Sequence, residues 1–316
     1  MKKKRRPLEI DENELPIKPT SDLFTAVLWS APKNEWLLRD FLNAVLADCR
    51  QALIQIATVL NPFNIKEFAV DRGLILDVLV QDEASRRYNF EVQTVSHPAF
   101  CNRMLFQWAN TYSALLRTGE DFTQLVPVRS VVLADFPIFP ELRAPHTVFE
   151  VRARENPEVL LSDHFQMHFL RLGDLRKRQT QGLETLHTGL RHWLNFFLFG
   201  TTITEDKMSQ LVENNPAVMA AYKELQRFSE NAEMRELERR RRRFREDWQI
   251  GIDGAMNAGI TQGITQGITQ GITQGITQGK AERDIEIARE MMKDGIEPKV
   301  IAKYTGLPLG KIKRLD

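Results

Sequence analysis

The chain has 316 residues, of which 42% are hydrophobic, and its formal net charge at pH 7 is +1. This length can form one substantial hydrophobic core with accessory elements, and the near-neutral charge excludes a uniformly basic surface while leaving room for local basic patches. With only two cysteines, no apolar stretch approaching the ~20 residues of a membrane helix and no signal-peptide pattern after the basic residues 2–6, we expect a cytoplasmic protein without disulfides or a membrane partner.

Hydrophobic periodicity predicts two helices and then a meander of three strands. The helical patterns lie at residues 34–48 and 50–60, and the strand patterns lie at 66–70, 74–81 and 87–94. The polar stretch between the last two strands is short enough to fold them into a hairpin.

Acidic residues of this hairpin point to chemistry. Asp77 interrupts an apolar strand, where an ionised carboxylate is costly unless a cation accompanies it. Side-chain alternation places Asn89, Glu91 and Gln93 on one face of the next strand, and the hairpin would set Glu91 beside Asp77. Two such carboxylates suit Mg²⁺, whose retained waters fit phosphodiester hydrolysis. The alternatives are a solvated face for the second strand and a buried arginine or lysine partner for Asp77.

A helix and further strands follow the hairpin. Residues 100–117 carry large apolar side chains at helical spacing, which indicates a helix with one face in the core. On this helix Arg103 is either a contact for the scissile phosphate or an ordinary surface arginine. Strand patterns at 128–136, 147–152 and 166–172 complete the expected sheet.

The histidines and cysteines do not predict a metal site. His164 and His168 are four residues apart and can share a face of a helix or strand, but no third ligand lies near them in the sequence. Cys49 and Cys101 lack the spacing of zinc ligands, so we expect both to be ordinary core residues.

The C-terminal part of the chain is predicted to be helical. Residues 183–199 and 205–229 have helical patterns, and the second pattern continues through a charged stretch to Gln249. Two interpretations of the arginines in this stretch are open: contacts to DNA phosphates, or the solvated face of a helix paired with neighbouring glutamates. The run consists of Arg239, Arg240, Arg241, Arg242 and Arg243.

A tetrapeptide repeat follows, in which Ile-Thr-Gln-Gly occurs five times between Ile260 and Gly279. A period of four places the isoleucines and the glycines on separate stripes of a helix, so two such helices can approach closely. Each glycine opposes this by about 1 kcal/mol relative to alanine. We expect a helix in a homo-oligomer, with a flexible spacer as the alternative. Residues 281–316 then have the spacing of a helix-turn-helix, which either binds DNA or packs.

The combined pattern resembles the recombination-promoting nuclease and transposase branch of the PD-(D/E)xK nuclease superfamily. The resemblance implies an α/β, restriction-endonuclease-like fold with a mixed central sheet flanked by helices. The chain departs from the pattern at Thr25, where members usually carry lysine, and at Ser85, where glycine is usual. The matching stretches are Pro-Thr-Ser-Asp-Leu-Phe at 19–24, Asp-Phe-Leu-Asn-Ala-Val-Leu at 40–46, Leu-Asp-Val at 76–78, Tyr-Asn-Phe-Glu-Val-Gln at 88–93, Gly-Glu-Asp-Phe at 119–122, and the segments around 161–163 and 168–170.

The resemblance also implies roles for residues of the hairpin. Asp77 and Glu91 match the metal-binding carboxylates of the family, and Gln93 stands where most of the superfamily has a catalytic lysine. A neutral amide can orient water and donate a hydrogen bond, but it cannot offset phosphate charge as an ammonium does. More of the activation would therefore fall to the metal. The carbonyl oxygen of Val92 is a further expected metal ligand.

We therefore expect five segments and a DNA-cleaving function. The segments are a disordered tail at 1–18, a nuclease domain at 19–180, a helical region at 181–250, the repeat segment at 251–280 and the helix-turn-helix-like module at 281–316. The expected activity is Mg²⁺-dependent cleavage of DNA, with Mn²⁺ as a substitute ion, in recombination, mobile-element or defence biology. The alternative is a catalytically weakened DNA-binding or scaffold protein that keeps the nuclease fold.

Overall fold

The centre of the molecule is a six-stranded mixed sheet. A computed structural model describes residues 16–62 and 77–315. The strands are β1 (Thr58–Val59), β2 (Val78–Gln81), β3 (Arg87–Gln93), β4 (Val128–Ala134), β5 (His146–Phe149) and β6 (Phe165–Arg171). Their order in the sheet is β1-β2-β3-β4-β6-β5. Strand β4 is parallel to β3 and to β6, whereas the other neighbouring pairs are antiparallel.

Helices precede the sheet, cover it and extend the chain beyond it. Those in the described residues are α1 (Asp22–Ser30), α2 (Glu35–Asp48), α3 (Phe100–Ser113), α4 (Leu172–Lys177), α5 (Thr188–Phe199), α6 (Glu205–Leu211), α7 (Pro216–Glu230), α8 (Ala232–Lys293), α9 (Pro298–Thr305) and α10 (Leu309–Ile312).

The two faces of the sheet pack against different helices. Tyr88, Phe90 and Val92 of β3 enter the main hydrophobic core with side chains of α1, α2, α5 and α7. The alternate residues of β3 point to the other face. There a smaller cluster joins Phe100 and Met104 of α3 to β4 and β6. A mixed sheet with helices on both faces confirms the expected α/β architecture.

A buried aspartate holds the turn between β2 and β3. Asp82 Oδ1 accepts hydrogen bonds from the backbone amides of Ala84 and Arg86, each at 2.9 Å, and Oδ2 accepts one from the Tyr88 hydroxyl at 3.0 Å. Ser85 lies in this turn with a φ of 63°. Glycine adopts this left-handed conformation most easily, which explains why a glycine suits the position.

The predicted helix at 50–60 is wrong. Residues 51–57 are irregular, and β1 follows directly. The Asn43 side chain binds both the amide and the carbonyl of Ile54, at 2.8 and 2.9 Å, and Glu83 Oε2 accepts two more backbone amides of the segment. Side chains therefore pair the backbone groups that a helix would pair internally.

The predicted helix at 205–229 is divided into α6 and α7. Glu213 and Asn214 interrupt it with φ angles of 51° and 57°. Asn215 then caps α7 by accepting two backbone amides, and Pro216 occupies the start of that helix. Both residues are typical of a helix start, so the sequence contained the signal for the break. The strand predicted at 66–70 and the start of the one at 74–81 lie outside the described residues.

The chain forms two compact units, Met1–Phe244 and Arg245–Asp316. In the first unit, helices after residue 180 supply side chains to the same core as the sheet. In the second unit, Ala288, Ile301 and Ile312 form a small core among α8, α9 and α10. Among the described helices, none combines the length and hydropathy needed to span a membrane.

Candidate active site

The hairpin brings the two predicted metal-binding carboxylates to matching positions on neighbouring strands. Val78 of β2 pairs with Phe90 of β3 in antiparallel register. One further step along this register sets Asp77 opposite Glu91. Burial raises the pKa of Glu91, and the charge of the facing Asp77 adds to this increase. The juxtaposition expected from the sequence is therefore present.

The two oxygens of the buried Glu91 carboxylate have different surroundings. Gln93 donates from Nε2 to Oε1 at 2.5 Å, and Arg103 Nη2 lies 3.6 Å from the same oxygen. Oε2 is buried and has no hydrogen-bond partner within the described part of the chain. A buried carboxylate oxygen with unused lone pairs is the type of donor that a hard cation takes, so these residues fit a divalent metal ion.

Burial dominates the electrostatics of the pair. It raises the pKa of Glu91 to about 7, with Arg103 opposing this increase and Asp77 adding to it. Burial also raises the pKa of Asp77. Two neighbouring carboxylates that both resist ionisation can be charged together at neutral pH when a cation accompanies them.

Helix α3 supplies the positive charge next to this pair. Arg103 donates through Nη2 to Gln93 Oε1, and its guanidinium carbon lies 5.8 Å from the centre of the Phe100 ring. The Arg103 side chain is 48% exposed, so it reaches the buried Glu91 from the solvent side. Gln107, one turn later, lies near enough to lower the pKa of Glu91, but it does not make a hydrogen bond with acceptable geometry to Oε2. Gln107 was not predicted from the sequence, although its spacing from Arg103 places both residues on one helix face.

Val92 lies between these residues in sequence but points away from them. Its side chain is in the main core, on the other face of the sheet. Its role as a metal ligand through the carbonyl oxygen stays a prediction.

The five consecutive arginines at 239–243 of α8 have different environments. Arg239 and Arg240 pair with Glu236 of the same helix, at 2.9 and 2.8 Å. Arg241 is buried and binds a carboxylate of α1. Members of this run therefore form ion pairs within α8 and with α1, in addition to any contact with DNA. Arg242 is half-buried, and Arg243 is exposed.

A second group of metal-ligating side chains lies elsewhere on the sheet. Cys49 after α2, His146 on β5 and His168 on β6 place one ligand atom each within 4.8 Å of one another. The register through β4 puts His168 on the sheet face opposite Glu91. This group is therefore separate from the Asp77 and Glu91 site.

The sequence analysis did not connect His168 with the two possible ligands that lie beside it in the structure. The sequence paired it with His164, but the His164 ring bonds the Tyr112 hydroxyl at 2.9 Å. The neighbours of His168 are distant in sequence: His146 is 22 residues away, and Cys49 is a further 97 residues before His146. Only the fold brings these three residues together, so no local spacing could reveal them.

A comparison with protein families gives a match that covers well over half of the chain. The family model described as PD-(D/E)XK nuclease family transposase matches residues 19–255. This range includes the described sheet, the hairpin carboxylates and the arginine run. No curated protein and no solved structure matches the chain.

Proposed function

The chain belongs to the family of PD-(D/E)XK nuclease transposases, and from this premise we propose that it is a metal-dependent endodeoxyribonuclease that hydrolyses phosphodiester bonds in DNA. The proposed ion is Mg²⁺, with Mn²⁺ as a substitute, because carboxylate and carbonyl oxygens are the ligands that these ions prefer. One observation carries the proposal: Asp77 faces Glu91, whose Oε2 is buried and lacks a hydrogen-bond partner within the described residues.

Asp77 and Glu91 would hold the ion, with the carbonyl oxygen of Val92 as a third protein ligand. When bound, the ion supplies a water of lowered pKa and offsets charge on the phosphate. The Gln93 amide donates to Glu91 Oε1 and so fixes the orientation of that carboxylate. The same amide would also hydrogen-bond a water at the site.

We assign to Arg103 the positive charge that Gln93 lacks. Its guanidinium binds Gln93 Oε1 and lies beside Glu91 Oε1. A guanidinium has five N–H donors in a planar fork that matches a phosphate, so it can bind one while keeping a contact to the amide. Gln93 and Arg103 together would then do what a single lysine does in other members.

The test is cleavage of plasmid DNA by the full-length protein. Asp77→Ala removes a metal ligand and should abolish Mg²⁺-dependent nicking, because the ion activates the nucleophile. Asp163→Ala is the matched control, since Asp163 is an exposed aspartate of the same domain. Circular dichroism checks that both variants fold. Undiminished cleavage by folded Asp77→Ala protein would refute the assignment.

The second candidate function is DNA binding by a catalytically weakened nuclease fold. The substitution of Gln93 for lysine favours it, because the amide carries no charge. This candidate predicts that the wild-type protein binds DNA and shows no cleavage above that of Asp77→Ala. Fluorescence anisotropy with labelled duplex DNA, measured beside the nicking assay, separates the two functions.

DNA is the proposed partner, and the exposed arginines of α8 are proposed to contact its phosphates. Arg240 and Arg243 have the most exposed positions of the run. Recombination, mobile-element or defence biology is the proposed setting. The segment boundaries at residues 18, 180, 250 and 280 and a homo-oligomer formed through the C-terminal helices also stay proposals.

A further inference from the structure

The second cluster of ligands ties the end of α2 to the far edge of the sheet. Cys49 Sγ lies 3.8 and 3.9 Å from the two ring nitrogens of His146. His146 Nε2 lies 3.0 Å from Nδ1 of His168. The two imidazole rings are nearly parallel, with centroids 5.3 Å apart. Three side chains with soft or borderline donors thus converge from α2, β5 and β6.

These separations are close to those of a tetrahedral zinc site. With Zn–S near 2.3 Å and Zn–N near 2.05 Å, a tetrahedral ion holds two nitrogens ~3.4 Å apart and a sulfur ~3.6 Å from each nitrogen. The His146–His168 pair is at 3.0 Å and the Cys49–His146 pair at 3.9 Å. The largest separation of the set is at most 4.8 Å. For a sulfur–nitrogen pair this exceeds the tetrahedral value by about 1.2 Å at most.

A carboxylate already occupies the position that orients a metal-binding histidine. Asp48 Oδ2 lies 2.7 Å from His146 Nδ1, and its other oxygen accepts the backbone amide of His187 at 2.6 Å. Histidine ligands commonly donate their second ring N–H to such a carboxylate, which fixes the tautomer and leaves Nε2 free to bind the ion. Asp48 therefore leaves Nε2 of His146, which faces Nδ1 of His168 at 3.0 Å, as the nitrogen that is free to bind an ion.

A simple hydrogen-bond chain from Asp48 through His146 to His168 does not account for the whole cluster. Such a chain has no place for the Cys49 thiol, although its Sγ lies 3.8 and 3.9 Å from the two ring nitrogens of His146. The fully buried His168 faces this group with Nδ1, which lies 3.0 Å from His146 Nε2. A neutral imidazole has a lone pair for a metal ion.

We propose that Cys49, His146 and His168 form a zinc site, separate from the Asp77 and Glu91 pair, with Asp48 as the positioning residue of His146. A thiolate with two imidazoles is a donor set that selects Zn²⁺ over Mg²⁺. The fourth tetrahedral position is left to a water molecule. The ion stabilises the junction of α2, β5 and β6.

Binding is a proton-coupled step with a simple balance. Without a metal ion, a cysteine at neutral pH is mainly a protonated thiol. The metal-free site therefore holds a protonated thiol. Zn²⁺ takes the place of that proton: one S–Zn bond forms, one S–H bond breaks, and one proton passes to solvent. No change of oxidation state is involved.

The test uses Co²⁺ and Zn²⁺ with the full-length protein after removal of metals by a chelator. Co²⁺ bound to a thiolate gives a sulfur-to-metal charge-transfer band in the near ultraviolet, which oxygen ligands at Asp77 and Glu91 do not give. We expect one equivalent of Co²⁺ to produce this band and one equivalent of Zn²⁺ to remove it. Cys49→Ser should lose the band. Cys101→Ser is the matched control, since Cys101 lies on α3 outside the cluster.

Two further variants keep the outcome decisive if Cys49→Ser fails to fold. Asp48→Asn keeps all three ligands and should weaken Zn²⁺ binding by about 10–100-fold, as loss of a carboxylate behind a ligating histidine does. Asp77→Ala should leave the band unchanged. Absence of the band in the wild type, or its loss in Cys101→Ser, would overturn the proposal. So would its loss in Asp77→Ala, because that would place the ion at the nuclease site.

Discussion

Glu91 is the residue whose titration connects the site to stability. A glutamate in the unfolded chain titrates near 4.5, whereas burial raises the pKa of Glu91 in the folded protein to about 7. Between these values the folded protein keeps a proton that the unfolded chain releases. The free energy of unfolding of the metal-free protein should therefore fall as pH rises from 4.5 through 7.

The size of this effect follows from the displacement of the pKa. It corresponds to about 3 kcal/mol between acidic and alkaline limits. We expect urea unfolding in the presence of a chelator to show lower stability at about pH 8 than at about pH 5. Glu91→Gln should flatten this dependence, whereas Glu158→Gln, at an exposed glutamate, should not. Equal slopes for the two variants would contradict the role of burial at Glu91.

Arg103 is expected to matter for cleavage more than its exposed position suggests. Arg103→Gln should lower plasmid cleavage by about 10–10²-fold, because it removes the fixed positive charge beside the phosphate. It should also raise the pKa of Glu91 further, since Arg103 opposes the effect of burial. Nicking rates measured across pH detect both changes. Arg117→Gln is the control, at another exposed arginine.

The double variant distinguishes a charge effect from a structural one. If Arg103 replaces the lysine of other members, Gln93→Lys should recover part of the cleavage that Arg103→Gln loses. A Gln93→Lys, Arg103→Gln protein as inactive as Arg103→Gln, with unchanged Mg²⁺ binding, would show that charge at this place is not what Arg103 contributes.

At the scale of elements, the contact between α1 and α8 gives Arg241 a structural role that differs from the role expected of the exposed arginines in the run. Arg241 donates from Nε and Nη2 to Asp22 Oδ2, both at 3.0 Å. The neighbouring Ser21 hydroxyl donates to Glu238 at 2.7 Å. Asp22 belongs to the Pro-Thr-Ser-Asp-Leu-Phe stretch at 19–24 that carries the family resemblance. This stretch therefore anchors the start of α8 to the nuclease core.

Arg241→Ala should destabilise the protein by about 1–3 kcal/mol, because Asp22 loses a partner in a largely buried pair. Arg243→Ala should change stability by less than about 0.5 kcal/mol, since its side chain is exposed. The opposite order is expected for DNA affinity at low salt, because we propose that Arg243 contacts a phosphate. Thermal unfolding measures the loss of stability in the two variants, and anisotropy titrations measure their loss of DNA affinity. Equal destabilisation by the two variants would contradict this division.

The elements that could be predicted are those whose signal is local. Alternation along β3 and the apolar run around Asp77 were sufficient for the hairpin and for the meeting of Asp77 with Glu91. The irregular segment at 51–57 was not predictable, because the groups that hold it, Asn43 and Glu83, come from elements before and after it. The cluster around His168 was missed for the same reason, as its members lie on α2, β5 and β6.

At the scale of the whole molecule, the C-terminal unit leaves an apolar stripe in solvent. The repeat is helical, and each threonine from Thr261 to Thr277 donates its hydroxyl to the carbonyl four residues earlier. The five isoleucines of the repeat are 51–58% exposed. A period of four keeps them on one slowly drifting line, so a second copy of the helix can cover them.

If the repeats pair, the oligomer depends on these isoleucines and not on the length of the segment. Replacing Ile264, Ile268 and Ile272 by glutamine keeps the length and removes the apolar stripe, whereas deleting 260–279 removes both. Both variants should give a smaller particle than the wild type in light scattering at matched concentration. Cleavage of long DNA should fall in both, because an assembled particle gains effective concentration from several weak phosphate contacts.

A spacer gives a different pattern. The glutamine variant would then have the wild-type mass and the wild-type activity, and only the deletion would change cleavage through the length of the tether. Short oligonucleotides are the control substrate, since one nuclease domain can cleave them without help from a second. Unchanged mass in the glutamine variant would refute pairing through the isoleucine stripe. If cleavage of oligonucleotides fell as much as cleavage of long DNA, the variant would instead have a damaged nuclease domain.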